Sequence, residues 1–271
     1  MKKNYLNTAS RSSYLAEGES NGKGVRAGVE REQVTAAGIV AGYPLDTFSH
    51  DMNRIYPGRP NGYLTERIAH AHCEWMKSVA DMEISIHSGG SHFYLSETIF
   101  SADDDASLDL AKAMGPGWGL ALTAPNPKGN PMAAMLDAGK TGITVELGGR
   151  SATSPAAFRK VGRVLADAFL NVMRHYGMLE GEAKYPEVRW KGMQEALLAP
   201  ASGIYLPEEG VDFHKWMNKG DPIAKIVDIF GETLATLQAP ADGMIFGLRA
   251  LPNVTTGDWC CFFGKIEGKR E

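Results

Sequence analysis

Apolar positions recur along this chain with two periods, and the switch between them marks out the elements. Leu64, Ile68, Ala71, Trp75 and Val79 fall at helical spacing and predict an amphipathic helix with those residues on its inner face. The apolar run Met82 to His87 follows at once and reads as a strand. Asp103, Asp104 and Asp105 put negative charge where a helix begins, which predicts a helix to about Met114, stopped by Gly115-Pro116-Gly117. A strand from Gly119 to Thr123 comes next. Asn130-Pro131 supplies an N-cap and a first-turn proline for a short helix ending at Gly139, and the run Ile143 to Leu147 is then a strand. Ser154-Pro155 repeats that start signal. Phe158, Val161, Leu165, Ala168, Val172 and Tyr176 draw one apolar face from there to Gly177.

Strands alternating with helices predict an α/β fold over residues 44–185, its sheet mostly parallel and covered by helices on both faces. Ahead of it, residues 1–43 are poorly patterned, and Asn7 to Gly24 is polar enough to stay mobile. After about Gly192 the texture changes to short strands between Gly and Pro turns. Ala199-Pro200-Ala201-Ser202-Gly203 returns as Ala239-Pro240-Ala241-Asp242-Gly243, and Lys219-Gly220-Asp221 is echoed by Thr256-Gly257-Asp258. This repeat predicts a small, pseudo-symmetric, barrel-like β-domain over residues 193–267. Lipoyl and biotinyl carriers are built on such repeats, but neither turn here presents the flanked lysine those carriers modify.

Composition narrows the partners. With 28 basic and 32 acidic residues the net charge is −4, so there is no electrostatic reason to expect nucleic acid or an anionic membrane, and a small-molecule substrate is the expectation. Cys73 and the adjacent Cys260-Cys261 form neither a disulfide framework nor a metal knuckle, which suits a reducing cytoplasm. No apolar leader follows the basic start and no window approaches a membrane span. Homo-oligomerisation stays open.

Three segments carry candidate chemistry. Glu146, between Val145 and Leu147 and just before Gly148-Gly149, is costly to bury unless it is paired, metal-bound or open to a cleft. His87 ends its strand before Ser88-Gly89-Gly90, and glycines there would let a metal or substrate approach closely. A histidine so placed is also a common structural residue. Asn53 and Arg54, ahead of Tyr56-Pro57-Gly58 in a segment read as lying outside regular structure, offer an amide and a guanidinium fork; the fork suits a carboxylate, or equally a surface ion pair. In doubly covered sheets ligands collect at the carboxyl ends of strands, where His87 and Glu146 both fall.

In this order the motifs resemble the succinylglutamate desuccinylase and aspartoacylase family, relatives of the zinc carboxypeptidases, with the flavour of the deacylases that act on N-acetylated diamino acids. Asp51-Met52-Asn53-Arg54 resembles the family's substrate-binding segment, Ile86 to Gly90 its third zinc ligand, and Thr144 to Gly149 its catalytic glutamate. The resemblance covers about Pro44 to Ile266 and implies a zinc-carboxypeptidase-like fold with a terminal β-domain. It further implies a zinc-dependent deacylase of small N-acyl amino acids: His87 a metal ligand, Glu146 the proton carrier, Asn53 and Arg54 the grip on the amino-acid end.

The resemblance also implies an H-x-x-E pair upstream of Asn53-Arg54, supplying the other protein ligands. None of the seven histidines has glutamate three positions on. His50 and His92 stand as replacement ligands. His70 and Glu74, at i and i+4 on a helix, could chelate, although in the resembling proteins this helix packs away from the metal. A second expectation follows: an impaired, vestigial or truncated member that keeps the pocket without the full metal site.

Overall fold

The computed structural model describes residues 5–9, 51–123, 128–149 and 154–270. Most of the polar stretch Asn7 to Gly24, and His50, therefore lie outside the described residues. The chain divides into two compact units. The first comprises Met1–His87, Ser101–Leu110 and Pro125–Val145, and the second Ser88–Phe100, Ala111–Ala124 and Glu146–Glu271.

In the first unit, β1 (Tyr5–Ala9) runs parallel to β2 (Met82–His87), within a stretch whose sequence shows little pattern. β5 (Thr141–Gly149) follows β2 in strand order and passes into the second unit after Val145. Helix α1 spans Leu64–Val79. Its start is closed by Glu66, whose carboxylate accepts from the Tyr63 N–H at 2.8 Å, and at its end the Lys140 ammonium donates to the carbonyls of Lys77 and Ala80. The inner face of α1 differs from the periodic reading. Thr65, Ile68, Ala69, Cys73 and Met76 are buried, whereas Leu64 and Ala71 are exposed. Small Ala69 and Cys73 let the helix approach its neighbours closely, and Met76 fills what they leave. The core here joins them to Met52, Tyr56, Ala134 and Met135.

Helix α2 spans Asp105–Ala113, capped by Asp104, which accepts from the Ser107 N–H at 2.9 Å. Helix α3, Pro131–Asp137, is capped by Asn130, which accepts from the Ala133 N–H at 2.8 Å, and it packs against β2. Both start signals read from the sequence are realised.

The second unit holds a closed β-ring that draws on residues 93–101 and 120–123 as well as on the stretch after 189, so it is not confined to the expected 193–267. β3 (Phe93–Ser101), β4 (Leu120–Thr123), β6 (Arg189–Leu198), β13 (Trp259–Arg270) and β11 (Gly243–Arg249) follow in strand order, and β11 pairs back onto β3. Its interior is Phe93, Leu95, Leu120, Leu122, Phe246 and Phe262. β4 joins β6 in parallel, while β13 is antiparallel to both β6 and β11. β6 and β13 run to ten and twelve residues, longer than the short strands expected, and register shifts at Trp259/Cys261 and Ile266/Gly268 interrupt the long ladder. β8 (Trp216–Met217) extends β11. A second sheet orders β10 (Thr233–Gln238), β9 (Pro222–Val227), β7 (Gly203–Pro207) and β12 (Asn253–Val254), with Ile223, Ile226, Ile245, Cys260, Cys261 and Phe263 in the core beneath it.

Helix α4, Pro155–His175, buries Ala168, Asn171 and Val172, while Phe158 at its start stays exposed, so the predicted stripe is covered only toward its C-terminal end. Asn171 ties the helix down: its amide donates to the carbonyls of Ala113 and Lys184 and accepts from the Lys184 N–H.

Candidate functional site

Glu146 interrupts a buried run. Gly142 to Val145 are buried, as are Leu147 and Gly148, and Glu146 alone between them is partly open to solvent. β2 behaves similarly: Met82 to Ser85 are buried, and the chain first opens at Ile86 and His87. His87 is the last residue of its strand in the first unit, and Glu146 is the first residue of β5 in the second.

The double glycines following these residues have a packing role. Within the second unit the Gly89 N–H donates to the Gly148 carbonyl at 3.2 Å, joining the two turns two residues after His87 and Glu146. A Cβ on Gly149, whose φ is +133°, would lie 2.0 Å from the Phe93 carbonyl oxygen, and one on Gly89 would lie 2.3 Å from the same atom. The glycines at 89 and 149 thus admit the backbone of Phe93. Gly90, at φ +60°, faces open space.

Asn53 and Arg54 sit in the first unit on a single 3-10 turn, Met52–Arg54, ahead of Tyr56-Pro57-Gly58. Asp51 caps the turn, accepting from the Asn53 N–H at 3.0 Å. Met52 and Tyr56 are 5% and 6% exposed and pin the segment to the core, while Arg54 stays at the surface with one guanidinium N–H donating to the Asn53 carbonyl at 2.8 Å. On one side the Tyr56 N–H donates to the Gly129 carbonyl at 3.1 Å; on another the Arg59 N–H donates to Glu66 of α1 at 3.1 Å. Tyr56 Oη meets His72 Nδ1 at 2.6 Å, and the imidazole stacks toward Trp75. Burial pushes the His72 pKa down to about 4. Motif reading singled out neither His72 nor its bond to Tyr56; a histidine three residues before a tryptophan on one helix face was the available signal.

Of the other candidate ligands, Glu74 is exposed and pairs with Lys77 at 3.4 Å. His92 is exposed, its Nδ1 2.8 Å from Ser91 Oγ. Among the described residues no group of three or more His, Cys, Asp or Glu side chains is placed to hold a metal ion. The described donor set therefore does not by itself fit zinc. An open cleft of about 730 Å³ lies elsewhere in the second unit, bordered by Lys184, Tyr185, Trp190 and His214, and it contains none of the residues read from the motifs.

The described residues thus include a half-buried glutamate within a buried strand of the second unit and an Asn-Arg turn in the first. The sequence model of the succinylglutamate desuccinylase/aspartoacylase catalytic domain matches residues 37–175, and the chain belongs to that family. Over 238 residues it is 26% identical to the N-alpha-acetyl-L-2,4-diaminobutyric acid deacetylase of Halomonas elongata, covering 82% of this chain and 67% of that protein. Among solved structures, the product-bound ectoine utilization protein EutE of Ruegeria pomeroyi superposes with a TM-score of 0.69 at 22% identity, covering 85% of this chain and 72% of that one. A succinylglutamate desuccinylase from Silicibacter sp. TM1040 gives 0.67 at 21% identity, over 81% and 68%. These two likenesses show the shared fold.

Proposed function

We propose that this chain hydrolyses the amide bond of a small N-acyl amino acid in a zinc-dependent reaction, in the cytoplasm. The observation that carries the reading is Glu146, a half-buried glutamate inside an otherwise buried strand of a deacylase-family domain. Its cost of placement is repaid by proton transfer: Glu146 accepts a proton from the attacking water and returns it to the departing nitrogen. The water oxygen joins the acyl carbon, the C–N bond breaks, and a carboxylic acid and an amine leave. Arg54, with Asn53 beside it, holds the amino-acid carboxylate through paired N–H donors. His87 is proposed as a metal ligand. Zinc dependence rests on that residue and on the family, because the described residues bring no three donors together.

The test uses N-acetyl-2,4-diaminobutyrate and follows amine release. Glu146→Gln should lower the rate by at least about 100-fold with an unchanged melting temperature, and a chelator should abolish turnover that added zinc restores. Equal rates in Glu146→Gln and the parent chain would overturn the assignment. The lack of a His-x-x-Glu pair in the sequence favours a second reading, an impaired member that binds this compound without cleaving it. Binding by calorimetry with no amine released at saturating zinc would establish it.

A further inference from the structure

The turn bearing Asn53 and Arg54 is a short surface element, yet a substrate grip must hold its geometry closely: about 1 Å of misplacement in such a group can cost on the order of a hundredfold. Hydrogen bonds fix the turn at its two ends, from the Asn53 N–H to the Asp51 carboxylate before it and from the Tyr56 N–H to the Gly129 carbonyl after it. The rest of the anchoring is by side chain, from Met52 and from Tyr56, which is 6% exposed among Met52, Ile68, Ala69 and Cys73. An apolar site accepts a phenol ring readily but requires a partner for its hydroxyl. That partner stands on α1, where the His72 ring lies edge-on to Tyr56 and near-parallel to Trp75, with interplanar angles of 78° and 30°. His72 is thus held from two sides, and its Nδ1 is aimed at the Tyr56 hydroxyl.

We infer that His72 is a positioning residue for substrate binding: by accepting the Tyr56 hydroxyl proton at Nδ1 it locks the Asn53-Arg54 turn onto α1 and sets where the Arg54 fork meets the substrate carboxylate. The inference rests on the reading of Arg54 as that grip. It assigns the neutral imidazole with its proton on Nε2. His72 touches no reacting atom and acts through Tyr56, two residues from Arg54, so its loss weakens binding and leaves the chemical step alone.

The experiment compares Tyr56→Phe, His72→Leu, His72→Asn, the Tyr56→Phe/His72→Leu double variant and Arg54→Lys, using N-acetyl-2,4-diaminobutyrate in full-length protein whose folding is checked by circular dichroism. KM and kcat are measured, with the calorimetric Kd read in every variant. Tyr56→Phe and His72→Leu should each raise KM and Kd about fivefold, the worth of one hydrogen bond, with kcat within about twofold. The double variant should be no worse than either single one. His72→Asn, whose amide oxygen can take the place of Nδ1, should recover most of the affinity, which general destabilisation would not allow. Nitrogen-15 NMR should show His72 as the Nε2–H tautomer at neutral pH. If the parent chain binds and Arg54→Lys weakens it while Tyr56→Phe and His72→Leu do not, the positioning role is wrong and the grip survives. If Arg54→Lys has no effect, or the parent chain does not bind the compound, the grip itself is wrong and the positioning role falls with it.

Discussion

His72 sets a pH limit on the first unit. Its charged form is disfavoured by burial, so its pKa in the folded chain is about 4 against 6.5 for an unperturbed histidine. Between these values the unfolded chain binds a proton that the folded chain does not, so stability rises with pH across the window. The contribution is fully present above pH 6.5 and is lost as pH falls toward 4, with an upper bound of about 3.4 kcal/mol at 1.36 kcal/mol per pKa unit. Urea unfolding of the parent chain and of His72→Asn, followed from pH 7 to pH 4, should show the parent losing more of its stability on acidification. Parallel curves for the two would show that His72 does not titrate in the unfolded chain alone. None of this was open to motif reading, since the partner of His72 lies 16 residues away on another element. Glu146 was legible because a lone carboxylate in a run of buried aliphatic residues is conspicuous on solvation grounds alone.

At the scale of elements, the Asn53-Arg54 turn meets the start of α3. Gly129 has φ +76°, and a Cβ built on it would lie 2.5 Å from the Arg54 carbonyl oxygen. Asn130, its neighbour, caps α3 by accepting from the Ala133 N–H. The two positions therefore separate stability from binding. Asn130→Ala should cost about 1 kcal/mol of stability and leave the Kd for N-acetyl-2,4-diaminobutyrate unchanged. Gly129→Ala should cost about 1–3 kcal/mol and also weaken binding severalfold, because it displaces the backbone behind the guanidinium. Equal effects of the two on Kd would show that the turn is not seated on this glycine. Elements marked by caps were read correctly from sequence: Asn130-Pro131 and Ser154-Pro155 both start helices, with Asn130 and Ser154 accepting from the N–H three residues on. The inner face of α1 was misread, because small Ala69 and Cys73 define its contact while the larger Leu64 is exposed and Trp75 only partly buried. β3 had no clear signal, since Ser96, Thr98 and Ser101 are buried within it and break the apolar run that would mark a covered strand.

Across the whole molecule, the clearest order is the exchange between the two copies of the repeat, all of it in the second unit. Each Ala-Pro-Ala segment bonds the Gly-Asp turn of the other copy. Ala199 donates to the Asp258 carbonyl and accepts from Gly257, while Ala239 donates to the Asp221 carbonyl and accepts from Gly220. The two turn glycines share φ values of +91° and +90°. The sequence showed the repetition, but not this crossing, because a repeat in the chain does not say which copy its bonds reach. One position differs in chemistry and keeps its role. Ser202 Oγ accepts from the Thr256 N–H at 3.0 Å, and in the corresponding place Asp242 Oδ1 accepts from the Lys219 N–H at 2.8 Å. If pseudo-symmetry is what holds this domain, a serine should serve at position 242 as it does at 202. Asp242→Ser should then change stability by no more than a few tenths of a kcal/mol, whereas Asp242→Ala, which leaves the Lys219 N–H without its side-chain acceptor, should cost about 0.5–1.5 kcal/mol. Urea midpoints at unchanged m value measure both. A serine variant as unstable as the alanine variant would mean that the carboxylate charge, and not the repeated hydrogen bond, secures the turn.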